Sequence, residues 1–539
     1  MKKGYLAIVF HAHLPFVRHI ESESFLEENW LFEAISETYL PLLRVFHRLE
    51  RDGIPFKVTF SVSPTLSSML TDELLQDRYI NYLEKLIELG DKEIERTRHQ
   101  PEFNKLANIY RELNEQNYLD FTGTYKKNIL KGFKELEKGG YLELITCAAT
   151  HCFLPLYQEY PESIEAQLQT AVMSHGRIFC NAPKGIWIPE CGYYPDLERH
   201  IKANNLHYFF VASHGLLFAE KKPRFGVYAP VNCPNGVSVF ARDLASSNAV
   251  WSSEEGYPGD FSYREFYRDI GFELPLEYIG PYIHNGTIRI NTGYKYYART
   301  GKTEEKRPYI PEIARERVEE HADNFLYNRL KQVEKLSNLM DRPPIIVSPY
   351  DAELFGHWWF EGPLWLESLF RKLQEHSDVL IMITPSGYLE LYTENQVLVP
   401  SFSSWGNKGY AEVWLNGSND WIYRHAHKAI ERMIELARRF PDEKGLKERV
   451  LNQAAREILL SQASDWPFIM KAGITVPYAE MRFKEHIHNF TKIYENLCRN
   501  TVNTEWLTKV EKKNNIFPDI DYRIFCTNPS SSSLLINSR

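Results

Sequence analysis

Two carboxylates stand where short apolar runs of the sequence end. Asp351 follows the β-branched run at 345–347, and Glu190 follows the run at 185–188 within Pro-Glu-Cys-Gly. A pair of carboxyl groups can cleave a glycosidic bond, one as acid and base and the other as nucleophile when the anomeric configuration is retained. Glu353, two residues after Asp351, is an alternative to it on the residue pattern alone.

Histidines form a second group of candidates. His11 and His13 lie two residues apart, so both side chains would face one side of an extended chain. His-x-His on a strand is also a zinc-binding arrangement, which His151, His214 and Asp351 could complete. Two chemistries therefore stay open: histidines that hydrogen-bond sugar hydroxyls in a glycosidase, and a metal-dependent hydrolase such as a carbohydrate deacetylase.

The elements that must position these residues are short strands alternating with helices. Strands are predicted at 6–10, 56–62, 141–146, 185–188, 208–212, 237–241, 379–383 and in the run that begins at 345. Such alternation is typical of a parallel α/β sheet, and the number of strands favours a barrel over an open sheet.

Polar side chains follow seven of these strands directly. They are His11, His13, Ser63, His151, Glu190, His214, Arg242, Asp243 and Asp351. In α/β barrels the C-terminal ends of the strands converge on one face, where active sites are built. We therefore expect these side chains to surround a common site.

Tryptophans supply a further group, since 11 of them occur in an aromatic-rich chain. Those in loop contexts are Trp30, Trp251, Trp358, Trp359, Trp405 and Trp414. Aromatic rings offer apolar faces to hydroxylated ligands. We expect Trp405 and at least one other to stack on sugar. Asp465, in a Ser-Asp-Trp-Pro turn, is either a site residue or only a helix cap.

The length allows more than one structural unit, because 539 residues exceed the roughly 250–300 at which one core stops growing. We predict a catalytic barrel over 1–395, with a helical insertion at about 66–136 and a loop-rich insertion at about 244–315. A C-terminal helical domain over 396–511 would contribute loops to the active-site cleft. A loosely held tail is predicted for 512–539 from its Ser- and Pro-containing composition.

Composition limits the class of protein. The net charge of −8 argues against a nucleic-acid partner or an anionic membrane, which would call for a basic patch. No run approaches the roughly 18 apolar residues of a membrane span, and the N-terminal apolar run is too short for a signal peptide. The seven cysteines form no C-x-x-C pair. We expect a cytoplasmic protein, monomeric or a small homo-oligomer.

Five segments, in order, resemble the five motifs of glycoside hydrolase family 57. They are His-Ala-His-Leu-Pro at 11–15, Thr-Cys-Ala-Ala-Thr-His at 146–151, Ile-Trp-Ile-Pro-Glu-Cys-Gly at 186–192, Ser-Pro-Tyr-Asp-Ala-Glu-Leu-Phe-Gly-His-Trp-Trp at 348–359, and the stretch 405–414. Arg-Asp at 242–243, the loop at 256–260 and Ser-Asp-Trp-Pro at 464–467 extend the match. The details are most similar to the α-1,4-glucan branching enzymes of that family.

The resemblance implies an incomplete (β/α)7 barrel, a helical C-terminal domain and no metal or other cofactor. It implies a retaining double displacement on α-glucan, with Glu190 as nucleophile and Asp351, rather than Glu353, as acid/base. Thr287-Ile-Arg289-Ile stands where relatives carry a tryptophan shortly before Gly293. That departure leaves 4-α-glucanotransfer and plain hydrolysis by an α-amylase open beside branching.

The resemblance also implies positions that bind substrate. His11, His13 and His151 would line the donor subsite. The other residues expected to contact glucan are Trp30, Arg264, Gly293, Trp405, Trp414 and Asp465.

Overall fold

A single curled sheet organises the molecule. The computed structural model describes residues 3–252, 255–301, 303 and 305–526. The strands in this part of the chain are β1 (Gly4–Ala12), β2 (Val58–Val62), β3 (Leu142–Cys147), β4 (Gly185–Trp187), β5 (Tyr208–Val211), β6 (Val231–Asn232), β7 (Ser238–Ala241), β8 (Ile345–Asp351), β9 (Leu380–Met382) and β10 (Gln396–Val397). Their order is β10-β6-β7-β5-β4-β3-β2-β1-β8, with β9 also paired to β1.

The neighbouring strands are parallel, apart from the antiparallel pair β6 and β7. Two backbone hydrogen bonds bring β8 back towards the region around β7: Asp243 N donates to Val347 O at 2.8 Å, and Ile345 N to Tyr228 O at 2.9 Å. The sheet is therefore curled without a full ladder at this seam. This confirms the predicted incomplete barrel with helices around it.

The register of β1 with its neighbours places candidate site residues side by side. His11 is level with Ser61 on β2 and with Asp351 on β8. On the other side of β2, Cys147 of β3 is level with Trp187 of β4. The polar residues that follow these strands consequently emerge at one end of the sheet.

Helices surround this sheet and form the C-terminal region. They are α1 (Glu28–Ala34), α2 (Leu40–Arg51), α3 (Pro64–Leu70), α4 (Glu73–Arg96), α5 (Pro101–Leu119), α6 (Leu130–Lys138), α7 (Pro161–Phe179), α8 (Leu197–Ala203), α9 (Ser213–Leu217), α10 (Leu244–Trp251), α11 (Ile270–Glu273), α12 (Leu276–Ile279), α13 (Pro311–Leu336), α14 (Gly362–Glu375), α15 (Pro385–Leu391), α16 (Trp421–Arg439), α17 (Leu446–Ser461), α18 (Asp465–Ala472), α19 (Val476–Arg499) and α20 (Thr504–Lys513). Helix α2 is typical: Leu42, Phe46 and Leu49 recur on one face and are buried.

One irregular turn interrupts the first long helix. Residues Ile35–Tyr39, between α1 and α2, form a π-helical turn. Such turns occur often at functional sites, because they rotate side chains away from the regular helical positions. This turn carries Glu37 and Tyr39, which reach the loop after β8.

The predicted insertions have the expected character. The segment 66–136 is mostly helical, and 244–315 contains only short helices and turns before α13. The strands β6 and β10 were not predicted, because two residues are too few to show a strand pattern. Since β10 begins at Gln396, the sheet extends just past the expected boundary at 395.

The prediction of a loose tail from residue 512 is wrong for 512–526. Helix α20 continues to Lys513, and Ile516, Phe517, Tyr522 and Phe525 are buried in the core. These apolar side chains anchor the segment in the core. The polar residues around them are the reason that the sequence predicted a loose tail. The rest of the predicted tail, 527–539, lies outside the described residues.

Among the described helices, none combines the length and apolar character that crossing a membrane requires.

Candidate active site

A cavity of about 1180 Å³ lies at the C-terminal end of the sheet. Its wall includes seven of the nine polar residues that follow the strands, namely His11, His13, His151, Glu190, His214, Arg242 and Asp351. Ser63 lies behind the wall and hydrogen-bonds His13 at 2.9 Å. Asp243 instead caps α10 and pairs with Arg329 at 3.3 Å. The predicted convergence of these side chains is therefore confirmed for most of them.

Glu190 is held in an unusual backbone conformation after β4. Its φ is 62°, in the left-handed region that non-glycine residues seldom adopt. Its carboxylate accepts hydrogen bonds from Trp405 Nε1 at 2.6 Å and Ser464 Oγ at 2.8 Å. Its carbonyl accepts from Trp405 N at 2.7 Å. The loop before α16 and the start of α18 thus fix the carboxylate from two directions.

The protonation of Glu190 reflects opposing influences. Burial raises its pKa to about 7, whereas the donors Trp405 and Ser464 lower the pKa because they bind the charged form. The nearby Asp465 charge raises the pKa again. With its pKa near 7, Glu190 becomes a carboxylate as the pH rises through neutrality, and the two donors stabilise that charged form.

A chain of hydrogen bonds ends on Glu190 and fixes the histidine tautomers. Ser464 has one hydroxyl proton, and a carboxylate can only accept, so Ser464 donates to Glu190. His151 Nδ1, 2.7 Å from Ser464 Oγ, must then donate to Ser464. In neutral His151, Nε2 is consequently an acceptor, and it accepts a hydrogen bond from His11 Nε2 at 2.9 Å. Both histidines are neutral here, because burial holds their pKa values well below the usual range.

Asp351 occupies the end of β8 in a different environment. Burial holds its pKa well above the usual range, and the charges of Glu353 and Glu190 raise it further. Arg242 opposes this rise in the pKa. Asp351 therefore keeps its proton to a higher pH than an exposed aspartate does, which suits it to act as an acid.

Glu353 is engaged by structural partners. Its Oε1 accepts from the Tyr39 hydroxyl of the π-helical turn and from His13 N at 3.3 Å. Tyr39 had no sequence signal, because its position depends on a turn that periodicity does not predict. Glu353 lines the cavity, but its hydrogen bonds tie β1, the π-helical turn and the β8 loop together.

The C-terminal region completes the site through α18. Asp465 accepts from His13 Nε2 at 3.1 and 3.2 Å, and the His13 ring stacks on His151 at 3.8 Å. The alternative that Asp465 merely caps a helix does not hold, because it is the first residue of α18 and its side chain bonds His13. From the sequence, the neighbouring Ser464 is identified only as part of the Ser-Asp-Trp-Pro motif.

Two family descriptions match consecutive parts of the chain. Residues 7–400 match Glycosyl hydrolase family 57, and residues 425–525 match 1,4-alpha-glucan branching enzyme, C-terminal.

The chain belongs to glycosyl hydrolase family 57.

Individual relatives agree with this assignment. The chain is 33% identical to a 1,4-alpha-glucan branching enzyme of Thermococcus kodakarensis, over 96% of this chain and 77% of that protein. The structure of the α-amylase AmyC from Thermotoga maritima matches with a TM-score of 0.92 at 46% identity, over 98% of this chain and 100% of that one. The family 57-type branching enzyme of Pyrococcus horikoshii matches with a TM-score of 0.87 at 33% identity, over 97% and 96%.

The substrate-binding residues predicted from the family resemblance fall into two groups. His11, His13, His151, Trp405, Trp414 and Asp465 line the cavity together with Glu190 and Asp351. Trp414 is almost fully buried and stacks on Phe153 at 4.8 Å, so little of its surface is open to the cavity.

The remaining three predicted residues lie outside the cavity wall. Trp30 packs edge-on against Tyr478 at 5.7 Å. The buried Arg264 guanidinium lies over the Phe360 ring at 3.9 Å. Gly293, with φ of 81°, donates its N–H to Asp269 at 2.9 Å. The binding roles expected for Trp30, Arg264 and Gly293 stay predictions.

Metal-ligand spacing occurs in two groups of the described residues: His11, Cys147 and His151, and His13, His151 and Asp465. The larger set considered from the sequence, which included His214 and Asp351, is not assembled. His214 Nε2 instead donates to Gly409 O at 2.8 Å. Membership of family 57 favours a glycosidase-type site over a metal-dependent deacetylase.

Proposed function

We propose that this family 57 enzyme is a 1,4-alpha-glucan branching enzyme. The observation that carries the proposal is that the segment matching the branching-enzyme C-terminal family supplies Ser464 to Glu190 and Asp465 to His13. That segment is therefore part of the catalytic wall. The branching enzyme of Thermococcus kodakarensis, similar over 96% of this chain, supports the same assignment.

In the first step, Glu190 attacks the anomeric carbon of an α-1,4-glucan as a carboxylate. The bond from that carbon to the glycosidic oxygen breaks, and Asp351 gives its proton to the departing oxygen. The product is a β-linked glucanyl-enzyme on Glu190. The hydrogen bonds from Trp405 and Ser464 keep Glu190 ionised and oriented for this attack.

In the second step, Asp351 is a carboxylate and removes the proton from the 6-hydroxyl of another glucan chain. The oxygen of that hydroxyl attacks the anomeric carbon, and Glu190 leaves as a carboxylate. The two inversions give an α-1,6 linkage and restore the proton to Asp351. The neutral histidines beside Glu190 line the cavity without adding charge.

An α-amylase activity is the second candidate, and the similarity to AmyC at 46% identity favours it. The same glucanyl-enzyme would then react with water instead of a sugar hydroxyl. The two activities share the first step and differ only in the acceptor.

Proton NMR of amylose incubated with the enzyme and EDTA separates these activities. We expect growth of the α-1,6 anomeric signal with little new reducing end. New reducing ends without an α-1,6 signal would make the enzyme an amylase. Redistributed chain lengths without either change would make it a 4-α-glucanotransferase, and activity that returns only with zinc would support the deacetylase alternative.

A further inference from the structure

An exposed aromatic surface forms one wall of the catalytic cavity. Trp358 is 53% exposed and Tyr267 is 77% exposed. Phe266 stacks on Trp358 with ring centroids 4.3 Å apart and meets Tyr267 edge-on at 5.1 Å. All three line the cavity that contains Glu190 and Asp351. We call Phe266, Tyr267 and Trp358 the aromatic platform; exposed apolar patches of this kind mark binding sites.

Polar groups that are largely shielded from solvent hold the platform from beneath. His357 Nδ1 lies 2.6 Å from Glu37 Oε2, and the His357 ring meets Phe266 edge-on at 5.4 Å. Lys295 Nζ lies 4.7 Å from the Phe266 ring centre and also donates to Phe266 O. The exposed rings therefore rest on side chains that are themselves fixed by charge.

Backbone contact ties the platform to the catalytic loop. Gly356 has φ of 108°, and a Cβ there would lie 1.7 Å from Glu37 O. The loop after β8 is thus pressed against the π-helical turn. Asp351 ends β8 and Trp358 lies on the loop that follows, so this contact helps to hold Trp358 in place relative to Asp351.

The side of the cavity that the platform occupies identifies its ligand. Asp351 protonates the departing oxygen, and that oxygen belongs to the sugar on the leaving side. Trp358 lies on the loop that follows Asp351, whereas Trp405 and Ser464 hydrogen-bond Glu190. Phe266, from the insertion at 244–315, stacks on Trp358 and meets Tyr267 edge-on, so the whole platform adjoins the loop after Asp351. We propose that the aromatic platform binds the acceptor glucan, by stacking its rings against the apolar faces of the glucose units. The inference rests on the proposed transfer mechanism.

The physical consequence is a bias towards sugar over water. An acceptor chain stacked on Trp358 and Tyr267 places a hydroxyl beside the glucanyl-enzyme at high local concentration. The bound acceptor chain also covers the exposed rings and displaces water from them. Loss of either ring should lower the ratio of transfer to hydrolysis more than it lowers formation of the glucanyl-enzyme.

The test uses α-maltotriosyl fluoride as donor, because fluoride departs without a sugar on the leaving side. Added maltopentaose is the acceptor, and the products of transfer and hydrolysis are counted by chromatography, whatever linkage forms. For Trp358→Ala and Tyr267→Ala we expect the transfer-to-hydrolysis ratio to fall about tenfold, with a raised KM for maltopentaose, from the area of aromatic surface lost. Tyr327→Ala is the matched control, since Tyr327 is 60% exposed on α13 away from the cavity.

An unchanged ratio and an unchanged acceptor KM in both variants would overturn the proposal. Tyr267→Ala keeps the test valid if Trp358→Ala does not fold, because Tyr267 is the more exposed ring. A wild-type enzyme that makes α-1,4 but no α-1,6 products would refute branching and leave the platform test intact. A wild-type enzyme that transfers to no added sugar would overturn the platform itself.

Discussion

At the scale of single residues, the site separates two carboxylates by their surroundings. Glu190 receives two hydrogen bonds that favour its charged form, whereas Asp351 has two other carboxylates as neighbours. Enzymes that run acid and nucleophilic chemistry together rely on this kind of difference. Arg242, which also lines the cavity, opposes the rise in the Asp351 pKa.

The first prediction concerns the acidic limb of the pH profile. Burial raises the pKa of Glu190 to about 7, and the Ser464 hydroxyl opposes that rise. Ser464→Ala removes a donor to the charged form, so the pKa rises and Glu190 becomes ionised only at higher pH. The acidic limb of kcat/KM should therefore move to higher pH, measured as fluoride release from α-maltotriosyl fluoride. Ser461→Ala, at a buried position of α17, is the matched control. If the acidic limb lay at the same pH in both variants, the assignment of Ser464 as a donor to ionised Glu190 would be contradicted.

Glu190 and Asp351 could be predicted from the sequence as candidates, because each stands at or just after the end of a strand that begins with an apolar run. The partners of Glu190 are harder to predict. Ser464 lies 274 residues from it in the chain, and its role depends on where α18 docks. Tyr39 and Glu37 depend on a π-helical turn that has no periodic pattern.

At the scale of elements, the loop after β8 and the π-helical turn act as one unit. Tyr39 binds Glu353, Glu37 binds His357, and Gly356 lies against Glu37 O. Eight of the ten strands in the described residues were predicted to within about two residues, since buried parallel strands appear as apolar runs. The contact between loop and turn joins residues more than 300 positions apart, and no local pattern encodes it.

The second prediction tests this unit. Gly356→Ala adds a Cβ that would lie 1.7 Å from a backbone oxygen, in a left-handed conformation. We expect a loss of about 2–4 kcal/mol in the free energy of unfolding, from strain and the displaced loop. Gly123→Ala is the control, because a Cβ there meets nothing within 4 Å. If the Tm measured by calorimetry fell equally in both variants, the close packing of the β8 loop on the π-helical turn would not be what stabilises this region.

At the scale of the whole molecule, the C-terminal helices are part of the active site. Gln167 on α7 donates to Thr150 Oγ1 at 2.9 Å and to Gln462 Oε1 at 2.8 Å, just before Ser464 and Asp465. The buried segment after α20 packs in the same core, through Phe517 and Tyr522. Composition concealed this packing, because the apolar anchors are few and scattered among polar residues.

The third prediction concerns the link between barrel and helices. Gln167→Leu removes the amide that joins Thr150 to Gln462 and leaves buried polar groups without partners. We expect a loss of about 2–3 kcal/mol in the free energy of unfolding, together with a lower kcat as Ser464 becomes less well positioned. Gln116→Leu on the exposed face of α5 serves as the matched control. An unchanged kcat with lowered stability would make the link structural only.

The central claim is a covalent glucanyl-enzyme on Glu190, and trapping that species tests it most directly. In Asp351→Ala, α-maltotriosyl fluoride can still react, because fluoride needs no proton donor, but the second step has no base. Mass spectrometry of the protein should therefore show one added maltotriosyl group, and peptide mapping should place it on Glu190. Absence of an adduct while the substrate is still cleaved, or an adduct on Glu353, would contradict this account.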